Sequence, residues 1–282
     1  MIASVPLRRL SAVWIQITGT WCNLECTHCI NASGPREPWL RVMEASDVER
    51  HIEDAARLGA REVYFTGGEP FLHPRMLELL AFALERLPAT VLTNGTLITE
   101  GVAERLAALA GGSRYSLEVR VSLDDPEPEA NDRVRGPGAH DRALRAIVRL
   151  DRRGLPAILT ATEIGTSPAG SGSRYDRLRR LLVDAGVARP RIKLLPLFPV
   201  GRMADGDAPP DTTELEGVDL ARLQCADSRA VAADGVYACP ILAGLPEARL
   251  GDATLAEAAG PVRLTHAACR VCVETGATCR NG

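Results

Sequence analysis

The chain has 282 residues, 24% of them charged, and a formal net charge of −3. It has neither the basic excess that favours nucleic acid nor a block of like charge that is typical of a disordered tail. We therefore expect no nucleic-acid partner, and the length allows one large domain, alone or with a small one.

The sequence carries no signal for export or membrane insertion. Residues 1–18, MIASVPLRRLSAVWIQIT, lack a secretory apolar core followed by a small-residue cleavage site. The most apolar stretch, 77-LELLAFALERL-87, contains Glu78 and Glu85 and is shorter than the roughly 20 residues that a spanning helix needs. We expect a cytoplasmic protein with no membrane partner.

Six apolar runs bounded by turn residues predict six strands. They are 13-VWIQIT-18, 61-REVYFTG-67, 89-ATVLTNG-95, 116-SLEVRVSL-123, 157-AILTATEI-164 and 191-RIKLLPL-197. Between them, apolar residues recur at the three- and four-residue spacing of amphipathic helices, in residues 48–56, 77–84, 103–110, 143–150 and 178–185. Strands that alternate with helices in this way predict a parallel sheet covered by helices.

The fourth predicted strand distinguishes an open sheet from a barrel. One of its faces is apolar, whereas the other carries Ser116, Glu118, Arg120 and Ser122. The central strands of an open doubly wound sheet are apolar on both faces. A polar face suits a barrel with a functional interior, so we expect an α/β fold in which residues 1–200 form a full or partial (β/α)6 TIM-like barrel.

A different pattern begins near residue 200. The stretch 201-GRMADGDAPPDTTELEG-217 is rich in Gly, Pro and Asp and predicts a connector. Next, 229-RAVAADGVYAC-239 predicts a hairpin that turns at Asp234-Gly235. The remainder has little apolar periodicity, and so small a core needs a metal site to stabilise it. We expect residues 201–282 to form a small cysteine-rich second domain.

The eight cysteines fall into two groups. Three lie within the first 30 residues and five between residues 225 and 279. Cysteines that serve only as small core residues would be scattered, and a reducing compartment disfavours a disulfide framework. The grouping therefore predicts two metal sites.

The first group lies in 21-WCNLECTHCI-30, with the spacing C-x3-C-x2-C. A tetrahedral zinc site needs a fourth protein ligand, and His28 is poorly placed because it is adjacent to Cys29. Three thiolates can instead hold three irons of a [4Fe-4S] cluster and leave the fourth iron open. A zinc or structural role remains the alternative that the spacing alone permits.

Together with four further stretches, this loop resembles the radical S-adenosylmethionine (SAM) superfamily over about residues 13–202. The stretches are 66-TGGEP-70, 93-TNG-95, 121-VSLDD-125 with 131-NDRVRG-136, and 193-KLLPLFPVGR-202. Alone, TGGEP could be an ordinary strand–helix turn and NDRVRG a solvated loop. Each follows a predicted strand, at the end of a β/α barrel where active sites lie. One departure is Asp125, where relatives often have Gly.

The resemblance implies a mechanism and a set of catalytic cysteines. Cys22, Cys26 and Cys29 would hold a [4Fe-4S] cluster whose open iron chelates SAM. An electron from the cluster would cleave SAM, and the 5′-deoxyadenosyl radical would take hydrogen from a substrate inside the barrel. The cofactors supply this chemistry, and the protein positions the reacting atoms.

The resemblance also implies the contacts to SAM. The backbone at Gly67 and Gly68, together with Glu69, would receive the methionine ammonium group. The remaining SAM contacts would be Ser122 and Arg135 for the carboxylate, Asp124 for the ribose, Leu195 for the adenine, and His28 and Asn94 beside them.

The second cysteine group resembles the auxiliary-cluster domains named SPASM and twitch. A C-x13-C pair spans the predicted hairpin, and a C-x2-C pair follows. The printed sequence ends three residues after Cys279, and its cysteine count fits the one-cluster twitch arrangement better than a full SPASM domain. The implied ligands of one auxiliary iron–sulfur cluster, a [4Fe-4S] cluster, are Cys225, Cys239, Cys269 and Cys272, with Cys279 either spare or replacing one of them. A zinc ribbon is the alternative. The cluster would assist oxidation, electron relay or sulfur chemistry.

The predicted inward faces of the strands carry five polar residues, Gln16, Glu118, Arg120, Thr162 and Lys193. They indicate a polar substrate, or else polar side chains that find their hydrogen-bond partners inside the barrel. The amino-terminal segment is short for a leader-peptide-binding domain, and aromatic residues are scarce at 4%. We therefore favour a small polar metabolite, such as a sugar, nucleoside or aminocyclitol. The electron donor would be of the flavodoxin or ferredoxin type.

Two other functions stay open. The first is a radical SAM maturase acting on a ribosomal peptide or protein. The second is a non-catalytic iron–sulfur or zinc scaffold.

Overall fold

A computed structural model describes residues 3–36, 38–164, 172–204, 206, 209–210, 215–251, 254–276 and 279–280. The strands are β1 (Ser4–Val5), β2 (Ala12–Gln16), β3 (Glu62–Thr66), β4 (Ala89–Thr93), β5 (Leu117–Ser122), β6 (Ile158–Thr162), β7 (Arg191–Leu195), β8 (Ser228–Ala232), β9 (Gly235–Tyr237), β10 (Arg249–Gly251) and β11 (Val262–Arg263). The helices are α1 (Ala45–Arg57), α2 (Met76–Leu84), α3 (Glu100–Gly112), α4 (Pro128–Arg135), α5 (Ala139–Asp151), α6 (Arg174–Asp184) and α7 (Ala267–Thr275).

Nine strands form one sheet in the order β10-β9-β8-β2-β3-β4-β5-β6-β7. The six strands expected from the sequence are β2 to β7, and they pair in parallel in chain order. Within the described residues the sheet does not close, because β7 and β10 lie at its two ends. The architecture is therefore a partial barrel, one of the two forms that the polar face of β5 predicts.

The helices pack their apolar stripes on the sheet. Val48, Ile52 and Ala55 of α1 are buried in the main core, as are Ala143 and Ile147 of α5. The sequence did not predict α4 as a helix, because its buried side chains are polar and leave no apolar periodicity. Among the described residues, no helix is both long enough and apolar enough to cross a membrane.

The segment after residue 215 continues the sheet of the barrel. The predicted hairpin is present as β8 and β9, and β8 pairs in parallel with β2 from Ala12 opposite Ser228. Trp14 of β2 stacks on Tyr64 of β3 with ring centroids 4.0 Å apart, in a core cluster shared with β8 and β9. The division into residues 1–200 and 201–282 stays a prediction. Part of the predicted connector, residues 205, 207–208 and 211–214, lies outside the described residues.

Candidate cofactor and active site

A cavity of about 210 Å³ lies at the carboxyl ends of the parallel strands. All three thiols of the first cysteine group line it. The strand ends contribute Thr66, Gly67, Gly68, Thr93, Asn94, Ser122, Thr162 and Leu195. The structure thus brings together motifs that are up to 170 residues apart in the sequence, because parallel strands present their carboxyl ends at one edge of the sheet.

The cysteine loop closes on itself and directs backbone donors at its sulfurs. The Cys22 N–H donates to Gly34 O at 3.0 Å and fixes the base of the loop. The Leu24 N–H lies 3.4 Å from Cys22 Sγ, and the Ser33 N–H lies 3.3 Å from Cys29 Sγ. Such donors stabilise thiolate charge, as bound iron requires. Burial raises the pKa of Cys22 to about 12, and the Leu24 N–H opposes this shift.

The two glycines of the GGEP segment pack against this loop. Gly68 N donates to Gly19 O at 2.8 Å, and Glu69 N donates to Trp21 O at 3.0 Å. A Cβ atom on Gly68 would lie 2.0 Å from Trp21 O, so a side chain has no room there. The sequence indicated that these glycines allow backbone approach to a cofactor. The structure adds that Gly68 also allows the approach of the cysteine loop itself.

Glu69 fastens the GGEP segment to the end of β4. Its fully buried carboxylate accepts hydrogen bonds from Phe71 N at 3.1 Å, Thr93 Oγ1 at 2.7 Å and Asn94 N at 2.8 Å. Burial raises the pKa of Glu69 to about 7, and these donors oppose the shift. Asn94 extends the connection, because its Nδ2 donates to Asn23 Oδ1 at 2.9 Å beside Cys22.

Arg135 is held at the cavity wall by Asp124. Nε of Arg135 donates to Asp124 Oδ2 at 2.6 Å, and Nη2 donates to Oδ1 at 3.0 Å. Thr162 N also donates to Asp124 Oδ1, at 2.8 Å. Arg135 lines the cavity, whereas Asp124, only 1% exposed, lies behind it. The structure therefore gives Asp124 a part in holding Arg135, and the predicted contact with the ribose stays a prediction.

His28 lies beside this ion pair, with Nε2 3.4 Å from Asp124 Oδ2. Burial and the neighbouring Arg135 cation lower the pKa of His28 to about 4, so the ring is neutral at pH 7. A neutral ring that lines the cavity suits the contact with SAM that the resemblance implies for this position.

The cavity fits the cofactors that the resemblance implies. His28 Nδ1 and Ser33 Oγ are buried, belong to residues that line the cavity, and have no hydrogen-bond partner within the described structure. Thiolates that share one zinc ion lie about 4 Å apart, because each Zn–S bond is about 2.3 Å long. Among the described residues, no three His, Cys, Asp or Glu side chains are placed to hold a single metal ion. The three thiols that line the cavity are the donor set of a [4Fe-4S] cluster with one open iron, and the orphaned polar atoms are left as partners for a second ligand.

Part of the cavity lining is apolar, and the sequence had pointed only to Leu195 in this part. The other apolar residues are Leu24, Ile30, Leu92, Pro196, Leu197, Phe198 and Ile241. The run from Pro196 to Phe198 directly follows β7, so the expected position of the active site at strand ends could have identified it. Ile241 comes from the segment after β9, and no local pattern places it at the cavity.

Arg202 is a further contact that the sequence did not single out. Its Nη1 donates to Cys26 O at 2.9 Å, and its Nη2 donates to Ala32 O at 3.2 Å and Ser33 O at 2.8 Å. Its own N–H donates to Cys29 O at 3.1 Å. One side chain therefore holds several carbonyls of the cysteine loop in place.

The second cysteine group lines a separate cavity of about 40 Å³. Its cysteines are Cys225, Cys239, Cys269, Cys272 and Cys279. Cys269 and Cys272 lie one turn apart on α7, and Cys239 follows β9. Burial raises the pKa of Cys239, and the neighbouring Cys269 and Cys225 raise it further. Five thiols spread over residues 225–279 thus line one cavity.

The five predicted substrate residues do not meet at the first cavity. Among the described residues only Thr162 of this set lines it. Gln16 Nε2 donates to Pro240 O at 3.4 Å, and Glu118 pairs with Arg191 at 2.6 Å. Arg120 and Lys193 reach the segment that carries Cys279, as described below. Their assignment to a substrate stays a prediction.

The chain is similar in sequence to curated proteins that include a maturase and a synthase. Mycofactocin maturase MftC of Mycolicibacterium smegmatis is 33% identical over 185 residues, which cover 65% of this chain and 44% of MftC. AdoMet-dependent heme synthase of Methanosarcina barkeri is 34% identical over 164 residues, which cover 57% of this chain and 44% of that enzyme. The chain thus spans less than half the length of these relatives.

Two solved structures share the fold. SuiB of Streptococcus suis bound to precursor peptide SuiA matches with a TM-score of 0.65 and 18% identity, over 89% of this chain and 63% of SuiB. The enzyme anSMEcpe with bound AdoMet matches with a TM-score of 0.64 and 16% identity, over 88% of this chain and 77% of that chain.

The family model described as "Radical SAM superfamily" matches residues 17–167, more than half of the chain. This range begins before the cysteine loop and includes the GGEP segment, Asp124 and Arg135. The chain belongs to the radical SAM superfamily, whose cofactors are SAM and a [4Fe-4S] cluster.

Proposed function

We propose that the chain is a radical SAM maturase that modifies a ribosomally made peptide or protein. This replaces the small polar metabolite that composition and the inward polar residues favoured. Support comes from the relatives, since MftC is a maturase and the matched SuiB structure contains a precursor peptide. The heme synthases among the relatives act on a different class of substrate.

The observation that carries the proposal is the apolar part of the cavity lining. It includes Leu197, Phe198 and Ile241, none of which is among the residues implied to contact SAM. A sugar or nucleoside buried there would leave hydroxyl groups without partners, at a cost of about 1–3 kcal/mol each. The carbon atoms of an amino-acid side chain on a peptide suit such a lining, because they need no hydrogen-bond partners.

The cysteine loop and its neighbours would position the cofactors. When bound, the reduced cluster and SAM supply the 5′-deoxyadenosyl radical. Cys22, Cys26 and Cys29 would hold the cluster, with backbone N–H groups directed at two of the sulfurs. Arg135, fixed by Asp124, would offer its cation to the methionine carboxylate.

The remaining lining residues would orient SAM and keep water away. Gly67, Gly68 and Asn94 would accept or donate along the methionine moiety, and Ser122 would assist Arg135. Neutral His28 and Leu195 would flank the adenine. The apolar residues of the lining would keep water from the atom that the radical attacks.

The second cavity would hold the auxiliary cluster on Cys225, Cys239, Cys269 and Cys272. A cluster at this place would accept or relay an electron during oxidation of the peptide, or assist sulfur chemistry. A flavodoxin- or ferredoxin-type donor would reduce the first cluster.

Deuterium transfer tests the proposal. The chain is reconstituted anaerobically with iron and sulfide, reduced, and incubated with SAM. The substrate is a deuterated form of a short peptide that is encoded next to the gene of this chain. We expect deuterium in 5′-deoxyadenosine and a mass change in the peptide, both lost in Cys26→Ala. Turnover of a sugar or nucleoside with no label from any peptide would contradict the proposal.

A further inference from the structure

We infer that Arg120, assisted by Lys193, is a positioning residue for the auxiliary site, which it shapes by holding the segment that carries Cys279. The inference rests on the auxiliary cluster of the proposed function. Arg120 and Lys193 would then position the auxiliary site. Their inward direction had instead predicted contact with the substrate.

Arg120 reaches that segment from the middle of the barrel sheet. It projects from β5, is 1% exposed, and donates from Nε to Thr160 Oγ1 of β6 at 3.2 Å. Its Nη1 donates to the carbonyl oxygen of Cys279. Lys193 of β7 donates in the same way to the carbonyl oxygen of Arg280. Two adjacent carbonyls are therefore held by cations from two different strands.

The other side of the segment is tied to the auxiliary cavity. The Cys279 N–H donates to Gln224 Oε1 at 2.6 Å, and Gln224 is the residue before Cys225. Arg280 forms an ion pair with Asp227 at 2.8 Å. The Cys279 side chain lines the cavity beside the other four cysteines and is buried. Arg120 thus connects the barrel interior to the wall of the auxiliary site through a single backbone carbonyl.

The buried Arg120 guanidinium stabilises this geometry, because it needs hydrogen-bond acceptors. An uncompensated buried charge destabilises the folded protein, and hydrogen bonds to charged groups are stronger than those between neutral groups. Moving Cys279 away would leave Nη1 without its acceptor. Loss of Arg120 should therefore let Cys279 move away from the cavity of the auxiliary site. The cysteine loop at the first cavity should be unaffected.

The test compares Arg120→Gln with the parent enzyme in two ways. The first is the spectrum of the auxiliary cluster, recorded by electron paramagnetic resonance in a Cys26→Ala background that removes the first cluster. We expect the auxiliary signal to shift in potential, because the surroundings of the cluster change. Loss of that signal together with about half of the iron in the Cys26-intact protein would also support the inference, and would identify Cys279 as a ligand. The second is alkylation of Cys279 by iodoacetamide in the folded protein, read by mass spectrometry, which we expect to increase at least tenfold.

Controls separate positioning from misfolding. Arg191→Gln removes another arginine of the same sheet, one that pairs with Glu118 and not with the Cys279 segment. It should leave both readouts unchanged. Lys193→Met keeps Arg120 and should give a smaller change in the same direction. Arg120→Lys, which retains the cation, should recover part of the auxiliary signal. Retention of the first cluster's signal in Arg120→Gln shows that the protein is folded.

Two outcomes overturn the inference. One is an unshifted auxiliary signal with Cys279 still protected in both Arg120→Gln and Lys193→Met. The other is a raised KM for substrate with an intact auxiliary cluster, which would return Arg120 to substrate binding. Parent enzyme without auxiliary iron would instead reject the proposed cluster, and the alkylation comparison would then decide the positioning role alone.

Discussion

Arg135 and Asp124 form a buried ion pair with two hydrogen bonds, of 2.6 and 3.0 Å, and only the arginine reaches the cavity. The Arg135 cation holds the pKa of Asp124 below its ordinary range despite burial. The carboxylate therefore stays ionised at neutral pH and fixes the direction of the guanidinium. A group that does not line the cavity thereby controls one that does.

Asp124→Asn should weaken SAM binding without abolishing cluster assembly. The amide removes the charge that anchors Arg135, and breaking a buried pair by changing one partner costs about 3–5 kcal/mol of folding free energy. We expect the Kd for SAM to rise roughly tenfold or more, measured by equilibrium dialysis with the reconstituted enzyme. Asp125→Asn, which changes the adjacent acid outside the cavity lining, should bind SAM normally. Equal effects of the two variants would contradict this role of Asp124.

Glu69 should make the cluster-free chain less stable as pH rises. Its folded pKa is raised from 4.5 to about 7, so between these values the folded state binds more protons than the unfolded state. The stabilisation is complete below pH 4.5 and is lost as pH approaches 7, by on the order of 3 kcal/mol. Urea unfolding of parent and Glu69→Gln at pH 5 and pH 7 measures it. The stability difference between the two proteins should change with pH in this direction, and a constant difference would reject the assignment.

Gly68→Ala should prevent assembly of the first cluster. The added Cβ would meet the Trp21 carbonyl oxygen at 2.0 Å and displace the cysteine loop. We expect loss of the SAM-dependent cluster signal and of 5′-deoxyadenosine formation. The matched control is Gly101→Ala in α3, where a Cβ meets nothing within 4 Å. That change should stabilise the helix by about 0.5–1 kcal/mol and leave activity intact.

Arg202→Gln should loosen the cysteine loop. It removes donors to the carbonyls of Cys26, Ala32 and Ser33, and one lost hydrogen bond from a charged group is worth about a tenfold change in an equilibrium. We expect faster loss of iron from the first cluster on incubation with a chelator, by roughly tenfold. Arg222→Gln, at an exposed position, serves as the control. Unchanged iron release in Arg202→Gln would show that the contacts do not hold the loop.

The replacements Cys26→Ala and Cys239→Ala should affect SAM cleavage and product formation differently. The first replacement removes a thiol of the first cavity and should abolish cleavage of SAM. The second removes a thiol of the auxiliary cavity and should leave some cleavage but stop product formation. Both are followed by chromatography of 5′-deoxyadenosine and mass spectrometry of the substrate. Normal product formation by Cys239→Ala would remove the auxiliary site from the reaction.

Much of the scaffold was predictable because it depends on local patterns. The strands β2 to β7 coincide with apolar runs, and the hairpin turns at the predicted Asp234-Gly235. Helix α4 was not predictable, because it buries Asn131 and Arg135 instead of apolar residues. The fold, and not the local sequence, decides which partner such polar side chains find.

The positions of single side chains were harder to predict. The inward direction of Arg120 follows from strand alternation, but its acceptor on Cys279 lies 159 residues away. Ile241 likewise reaches the cavity from beyond β9. A polar face on a strand therefore indicated an occupied interior, and it could not reveal that another segment of the same chain occupies part of it.

The pairing of β8 with β2 has a consequence for how the chain is made. Because Ser228 lies opposite Ala12, one edge of β2 has no partner until more than two hundred residues have been synthesised. An unpaired strand edge in the middle of a future sheet is a site for aggregation, and contacts so distant in sequence form slowly. Release of a nascent chain that ends before β8 should therefore yield an aggregating product, whatever the state of its cysteine loop.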